Sequence, residues 1–265
     1  MSTVFVTICD APYFDKAVRT IQDLRVVGVW SGPIVLIAVD FTPDSFFCEF
    51  YGVQVVSFPR IPTDALIAEY KRNPLSIPTH DRREFTKVTQ WEKLHVFNSF
   101  FQAWERVVYL DAGLRILDNV ENFLCLEWKG KFLAPDDTWN DANKRFRCQL
   151  EMTNNPSVLQ SYVETYGEEV LNETYFLNCM WIYDTAILSA PIQQEMLECM
   201  NRFPLWRTNE MGVMNTILTF HHRLWTPFPL TARNGKYLFD WCELNRPSTH
   251  WNQYCALKYP VTIGQ

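Results

Sequence analysis

Short apolar runs alternate with amphipathic stretches along the first sixty residues of the chain. Residues 4–8, 34–39 and 53–58 are apolar and rich in β-branched side chains, which predicts three strands. Between them, residues 12–27 and 43–51 carry apolar side chains at helical spacing, which predicts two helices. Continuous apolar strands are typical of a parallel sheet that is covered on both faces. The opening therefore predicts a β-α-β-α-β unit, the arrangement of many nucleotide-binding α/β proteins.

The rest of the chain continues the α/β pattern after one polar interruption. Residues 60–87 are polar and proline-rich, and we predict a long irregular excursion there. Residues 88–104 predict an amphipathic helix, and residues 106–110 a strand that runs into Asp111. The remaining predicted elements are helices at 119–124, 156–166, 192–203 and 209–221, strands at 131–134 and 175–183, and a loop at 137–153. Because no repeat or linker is visible, we expect one domain over 1–265, with a nucleotide-binding half (about 1–125) and an acceptor half (about 126–265).

Composition narrows the class of protein further. The chain is 48% hydrophobic and 20% charged, which is enough for a substantial core. A net charge of -6 and a pI of about 5.4 give no basic excess, so we expect no nucleic-acid partner. Eight cysteines without a C-x-x-C pair indicate buried, reduced thiols, and no apolar stretch is long enough to span a membrane. These features predict a cytoplasmic protein.

Two phosphate-binding signatures are absent from the sequence. It contains neither G-x-G-x-x-G nor G-x-x-x-x-G-K-[ST]. A dinucleotide-dependent dehydrogenase and a P-loop NTPase are therefore disfavoured.

Seven short segments carry a resemblance to a known family. They read CDAPY at 9–13, WEKLHVF at 91–97, RVVYLDAG at 106–113, APD at 134–136, YFLN at 175–178, EMGVMN at 210–215 and HWNQYCALKYP at 250–260. In this order they resemble the core motifs of the retaining glycosyltransferases of family 8, the glycogenin and galactosyltransferase type. The family's D-x-D motif corresponds to Asp111-Ala112-Gly113, and the match spans nearly the whole chain.

This resemblance implies a fold, a reaction and a set of partners. The fold is of GT-A type, a single α/β domain with a mixed, mostly parallel central sheet flanked by helices. The reaction moves a hexose with retention from a nucleotide sugar, a UDP-sugar before GDP-mannose, to a glycan or glycoprotein acceptor. The implied cofactor is Mn²⁺ or Mg²⁺. A further resemblance, to glycosyltransferases of large algal DNA viruses, implies a viral capsid protein as acceptor and the host cytoplasm as location.

The resemblance also assigns residues to the metal and the diphosphate. Asp111 corresponds to the first acid of D-x-D, and His250 to the metal-binding histidine. Lys93 and Lys258 correspond to lysines that reach the donor, although the spacing before Lys258 is two residues longer than in the family. Arg83, in the proline-rich segment, would clamp phosphate. The structural alternatives are a capped turn for Asp111 and solvated surface side chains for the basic residues.

The end of the first strand would bind the base. Backbone groups near Thr7 and Cys9 would contact the edge of the base, and Asp10 would accept from a base N–H. Tyr13 would stack on the ring, although a tyrosine here is equally compatible with a core position at the start of a helix.

Four polar residues would surround the transferred sugar: Asp136, Asp137, Asn178 and Glu210. Asn178 lies inside the predicted strand 175–183, where a buried amide needs hydrogen-bond partners that a sugar or the backbone would supply. Glu210 would stabilise positive charge at the anomeric carbon, or, as the structural alternative, the first turn of a helix.

Gly113 is the main departure from the family pattern, because the family has a second acid there and glycine offers no side-chain oxygen. Three explanations stay open. The metal could be held by Asp111, His250, diphosphate and water alone, or a cationic side chain could replace it. The third is that the chain binds the donor with little catalysis, as a non-catalytic nucleotide-sugar binding protein. A nucleotide-sugar hydrolase is a further rival.

Overall fold

A mixed, mostly parallel sheet forms the centre of the fold. The structure, a computed structural model, describes residues 2–77, 82–138, 141, 143–241 and 248–258, with only the backbone at 248–250. Its strands are β1 (Thr3–Asp10), β2 (Ile34–Val39), β3 (Val53–Val56), β4 (Arg106–Leu110), β5 (Leu114–Ile116), β6 (Phe132–Ala134), β7 (Met180–Asp184), β8 (Trp225–Pro227), β9 (Tyr237–Trp241) and β10 (Tyr254–Lys258). The main sheet has the order β3-β2-β1-β4-β7-β6-β8, in which β7 alone runs antiparallel to its neighbours. A smaller sheet has the order β5-β10-β9.

Helices and single helical turns flank the sheet. The α-helices are α1 (Phe14–Val26), α2 (Ser45–Phe50), α3 (Asp64–Arg72), α4 (Arg83–Thr86), α5 (Glu121–Leu124), α6 (Pro156–Tyr166), α7 (Ile192–Arg202) and α8 (Glu210–Asn215). A π-helical turn, Thr216–His221, continues α8. Side chains of β1 alternate between two cores: Val4 and Val6 pack on one face of the sheet, and Phe5 packs on the other with Leu24 of α1. Both faces are therefore covered, as the apolar strands predict.

The strand order creates a crevice beside β1. The chain proceeds outward from β1 through β2 to β3 and then returns to β4, on the opposite side of β1. In an open α/β sheet, ligands bind outside the carboxyl ends of the strands at such a switch point. The predicted β-α-β-α-β opening is confirmed. A ligand site is therefore expected at the ends of β1 and β4.

The segment that follows α4 differs from its predicted form. Residues 88–104 are two runs of 3₁₀-helix, Val88–Phe97 and Ser99–Ala103, instead of one amphipathic α-helix. Every side chain from Trp91 to Phe97 is buried, whereas Ser99, Gln102 and Ala103 are exposed, so burial does not follow one helical face. Tertiary packing of residues 91–97 has overridden the helical pattern of the sequence.

Two other element predictions are wrong in part. The excursion 60–87 contains α3, whose Leu66 and Tyr70 are buried one turn apart, and Tyr70 Oη donates to the Trp206 carbonyl at 3.0 Å. The predicted strand 175–183 begins only at Met180. Asn178 therefore lies in the turn before β7 and not inside the strand, because the backbone there leaves the sheet and the Leu177 N–H donates to the Pro135 carbonyl at 2.8 Å.

The structure describes seven of the eight cysteines. These cysteines are free, and five of them are buried, whereas Cys148 is exposed and Cys125 half-buried. Cys242 lies outside the described residues. Within the same part of the chain, every helix is too short or too polar to span a bilayer.

Candidate active site

A cavity opens where β1 and β4 end. Six residues that the sequence places in the donor site line it: Cys9, Asp10, Tyr13, Lys93, Asp111 and Lys258. The cavity holds about 550 Å³ of space when its open mouth is included. These six residues, which are far apart in sequence, thus meet at one point of the fold.

A buried ion network forms the floor of this cavity. Lys93 Nζ lies 2.9 Å from Asp111 Oδ1 and 3.0 Å from Glu210 Oε1. Asn178 Nδ2 donates to the same Glu210 oxygen at 2.8 Å, and Lys93 Nζ donates to the Asn178 carbonyl at 3.4 Å. All but Asp111 are buried, and the side chain of Asp111 is 17% exposed. Lys93 therefore joins β4 to α8 through charge-assisted hydrogen bonds.

Burial and the charges within the network shift the pKa values of Lys93, Asp111 and Glu210. Burial opposes the charged form of Lys93, but Asp111 and Glu210 outweigh burial and raise the pKa of the ammonium group. Burial also opposes ionisation of Asp111, yet Lys93 and Lys258 lower the pKa of its carboxyl group. For Glu210 burial dominates, and its pKa is raised. Lys93 and Asp111 are therefore held as an ion pair at neutral pH.

Both oxygens of Asp111 already have partners. Oδ1 accepts from Tyr109 Oη at 2.7 Å as well as from Lys93, and Oδ2 lies 3.5 Å from Lys258 Nζ. The Tyr109 ring is fixed from behind by the Trp181 ring, at a centroid distance of 3.8 Å and an interplanar angle of 17°. Packing in the core thus sets the position of the carboxylate that faces the cavity.

Gly113, the position of the missing acid, adopts a backbone conformation that favours glycine. Its φ is +87°, in the region that L-residues rarely adopt. Its N–H donates to the Lys16 carbonyl at 3.2 Å and to Thr20 Oγ1 at 3.0 Å, which ties the turn to α1. An aspartate here would be strained as well as close to Lys16.

We expect Gly113→Ala to lower the free energy of unfolding by about 1–2 kcal/mol, the cost of a left-handed backbone for an L-residue. Urea denaturation of the variant against the unmodified protein measures this. Gly130→Ala should cause a similar loss, because Gly130 also has a positive φ (+69°), and a Cβ on it would meet no other atom within 4 Å, so that variant measures the backbone cost alone. A stabilising effect of Gly113→Ala would contradict the assigned backbone conformation.

The end of β1 supplies the part of the cavity that would hold a base. Tyr13 is 39% exposed, and Asp10 Oδ1 is buried without a hydrogen-bond partner among the described residues. Burial is the main cause that raises the pKa of the Cys9 thiol to about 12, so Cys9 is no nucleophile at neutral pH. Thr7 is buried within β1 and does not line the cavity.

Other residues assigned from the sequence lie away from the cavity lining. Asp136 follows β6 and accepts from the Thr138 N–H and hydroxyl, each at 2.7 Å, while Asp137 pairs with Lys144 at 2.6 Å. Burial raises the pKa of Asp137. Arg83 begins α4, where its carbonyl accepts from Asn209 Nδ2 at 3.2 Å. The side chain of His250 lies outside the described residues.

Several lining residues were missed by sequence reasoning. Lys87 and Gln90 line the cavity beside Lys93. Gln90 and Lys93 lie three residues apart in the 3₁₀-helix Val88–Phe97, which has three residues per turn, so they share one face, and Lys87 is the residue before that helix. The spacing is visible in the sequence, but it predicts a shared face only for a 3₁₀-helix. Lys16, which lies outside the lining, was also missed; its ammonium group lies 4.4 Å from the centroid of the Tyr13 ring.

The described side chains fit a divalent metal at Asp111 poorly. A metal would need oxygen or imidazole ligands close together. Among the described side chains, the group of three ligating residues that meets this condition is Glu195, His221 and His222, none of which lines the cavity. At Asp111 the nearest groups are ammonium and phenol donors, and Gly113 contributes no ligand.

No family model and no curated protein matches the chain, whereas solved structures do. An active-site mutant of LgtC aligns with a TM-score of 0.62 at 9% identity, over 98% of this chain and 88% of that one. The bifunctional glycosyltransferase WbbM gives 0.59 at 11% identity, over 98% of this chain and 46% of that one. Core-mannan synthase A from Aspergillus fumigatus, in its Mn/GDP form, gives 0.51 at 10% identity, over 86% of this chain and 73% of that one.

These likenesses define the class of fold. The chain is a single α/β domain with the GT-A architecture of the glycosyltransferases to which it is similar. It spans less than half of WbbM but most of LgtC. The fold predicted from the sequence is therefore confirmed.

Proposed function

We propose that this chain is a glycosyltransferase that moves a hexose from a nucleotide sugar, with a UDP-sugar as the favoured donor, to a glycan or glycoprotein. One observation carries the proposal: the cavity at the ends of β1 and β4, floored by the Lys93–Asp111–Glu210 network. It lies where open α/β sheets bind ligands, in a fold shared with glycosyltransferases. A viral capsid protein in the host cytoplasm is the acceptor to test first.

The lining suggests how a donor would lie. The base would stack on Tyr13 at the end of β1, with Asp10 accepting from a base N–H. The diphosphate would follow towards Lys258 and the sugar towards Lys93. In this arrangement the first 125 residues bind most of the nucleotide, and the second half contributes Lys258, with Asn178 and Glu210 positioned behind Lys93. Asp136 and Asp137 would take part from the acceptor side.

The proposed reaction proceeds on one face of the sugar. The bond between the anomeric carbon and the phosphate oxygen breaks, and the acceptor hydroxyl oxygen bonds to the same face of that carbon. The hydroxyl proton passes to the departing phosphate oxygen, so the products are a glycoside and a nucleoside diphosphate. Ammonium groups at the diphosphate stabilise the charge that develops on it. Glu210 lies behind Lys93, outside the cavity lining, and acts by positioning Lys93.

A divalent ion is the cofactor that the Mn/GDP form of the mannan synthase supports for this fold. Asp111 and His250 are the ligands that we would assign to Mn²⁺ or Mg²⁺ in this chain. The described residues around Asp111 do not fit such an ion, so the reaction above contains no step that depends on one.

Release of nucleoside diphosphate from a panel of donors tests the proposed function. UDP-glucose, UDP-galactose and GDP-mannose would each be incubated with and without a glycan acceptor. We expect turnover of one donor class that rises when acceptor is added. Free sugar without acceptor product would indicate a hydrolase, and donor binding without turnover a non-catalytic binding protein.

Tyr13→Ala should weaken binding of the preferred nucleotide roughly tenfold, because stacking of a base on an aromatic ring contributes about 1–3 kcal/mol. Titration calorimetry measures the affinity. Since Tyr13 is 39% exposed, the melting temperature should stay unchanged. Tyr13→Phe is the control and should keep the affinity; equal affinity of Tyr13→Ala would place the base elsewhere.

A further inference from the structure

Lys16 lies against Gly113, the position where the D-x-D motif would carry its second acid. A Cβ on Gly113 would lie 3.4 Å from both Cβ and Cδ of Lys16. The backbone keeps the two residues together, because the Gly113 N–H donates to the Lys16 carbonyl at 3.2 Å. The side chain that borders the missing acid is therefore cationic.

Three ammonium groups gather around this corner of the cavity. Lys87 and Lys258 line it, and Lys16 stands over the Tyr13 ring at its rim. Lys16 lies against Gly113 and Lys258 Nζ lies 3.5 Å from Asp111 Oδ2, so both lysines border the Asp111–Gly113 turn. Like charges that are brought together repel one another, and a bound anion removes that repulsion.

Both carboxylate oxygens of Asp111 already lie close to lysine ammonium groups of the protein itself. Lys93 lies 2.9 Å from one of its oxygens and Lys258 lies 3.5 Å from the other. Lys258 is held there by a 2.6 Å hydrogen bond from Nζ to the Ala112 carbonyl. A divalent ion on Asp111 would stand beside two ammonium groups, with no second acid at Gly113 to balance the repulsion.

We propose that Lys16, Lys87 and Lys258 hold the diphosphate of the donor in place of a divalent cation, so that the nucleotide binds without metal. This inference rests on the proposed function. Lysine binds phosphate as a point charge, and three ammonium groups at the leaving diphosphate supply the electrostatic stabilisation that the reaction requires. Lys16, which borders the position of the missing acid, takes the part of the metal.

Calorimetric titration of UDP and of GDP, each in EDTA and in Mn²⁺, tests this inference. We expect the preferred nucleotide to bind with the same affinity, within about twofold, in both conditions. Binding that needs Mn²⁺ would overturn the inference and leave the proposed function standing. If neither nucleotide binds in either condition, the proposed function fails and the inference fails with it.

Lys16→Met tests directly whether Lys16, and not a metal ion, binds the diphosphate. The loss of a charge-assisted contact to phosphate should weaken binding in EDTA roughly tenfold to a hundredfold. Lys129→Met is the control and should bind normally, because Lys129 is exposed and outside the cavity lining. Melting curves establish that both variants fold.

Gly113→Asp supplies a second variant, which restores the acid of the motif. It should weaken nucleotide binding, because the new carboxylate would pair with Lys16 and repel the diphosphate. Unchanged affinity of Lys16→Met in EDTA, or undiminished affinity of Gly113→Asp in EDTA, would overturn the inference.

Discussion

Lys93→Met should lower the free energy of unfolding by about 3–5 kcal/mol, which is the usual effect of removing one partner from a buried ion pair. The reason is that Asp111 and Glu210 would keep their carboxylates without the ammonium group that now lies within 3.0 Å of each. Turnover of the donor should fall at least about a hundredfold, since the floor of the cavity loses its preorganised charge. Urea denaturation and release of nucleoside diphosphate measure the two effects.

The pH dependence of this variant has a definite sign. Without Lys93, burial and mutual repulsion would raise the pKa of both carboxyl groups above their values in the unfolded chain. The folded state would then bind more protons than the unfolded state, so stability would fall as the pH rises through that window. The deficit of Lys93→Met should therefore be larger at pH 8 than at pH 5.

Lys131→Met is the matched control for Lys93→Met. Lys131 pairs with Glu127 on the surface at 3.2 Å, and exposed pairs contribute little. We expect a change below about 1 kcal/mol and normal turnover. If Lys93→Met were as mild as this control, the buried network would not have the structural and catalytic role assigned to it.

Trp181→Ala should lower the free energy of unfolding by about 3–5 kcal/mol, as large truncations in a core do. Trp181 is fully buried, and its ring stacks on Tyr109 with centroids 3.8 Å apart. The indole N–H has no hydrogen-bond partner among the described residues, so the loss is one of packing. Because Tyr109 holds Asp111, nucleotide affinity should fall as well.

Trp181→Phe separates these two effects. It keeps an aromatic ring behind Tyr109 and removes an unpartnered N–H, so we expect a markedly smaller loss of stability and near-normal affinity. Urea denaturation and nucleotide titration of both variants check this. A loss below about 1 kcal/mol in Trp181→Ala would show that the core tolerates the cavity and does not fix Tyr109.

The parallel half of the fold was predictable because each of its strands is marked by its own continuous run of apolar residues. The apolar runs of β1, β2 and β4 are continuous and end at polar residues, so both their location and their burial follow from the sequence. β5, with three residues, was not predicted, because its pairing with β10 depends on a strand about 140 positions away along the chain. The 3₁₀ conformation of Val88–Phe97 was missed because the burial of Trp91–Phe97 depends on tertiary contacts, which the local pattern does not reveal.

For the candidate site, the sequence indicated the carboxylate of Asp111 and two lysines, whereas two further lysines were missed. The ordered motifs assign Asp111, Lys93 and Lys258, and the structure brings these three residues together. They give no sign of Lys16, which lies on α1 against Gly113, or of Lys87, which lines the cavity from the segment after α4. Gly113 was visible as a departure from the pattern, but its positive φ and its contact with Lys16 are properties of the fold alone.

Backbone hydrogen exchange with and without saturating UDP or GDP shows whether the ends of β1 and β4 form the donor site. We expect slowed exchange at residues 9–13, 87–93 and 111–113, and unchanged exchange in α6, whose residues do not line the cavity. Nucleotide-dependent protection confined to other parts of the chain, with these three segments unchanged, would contradict this placement of the donor site.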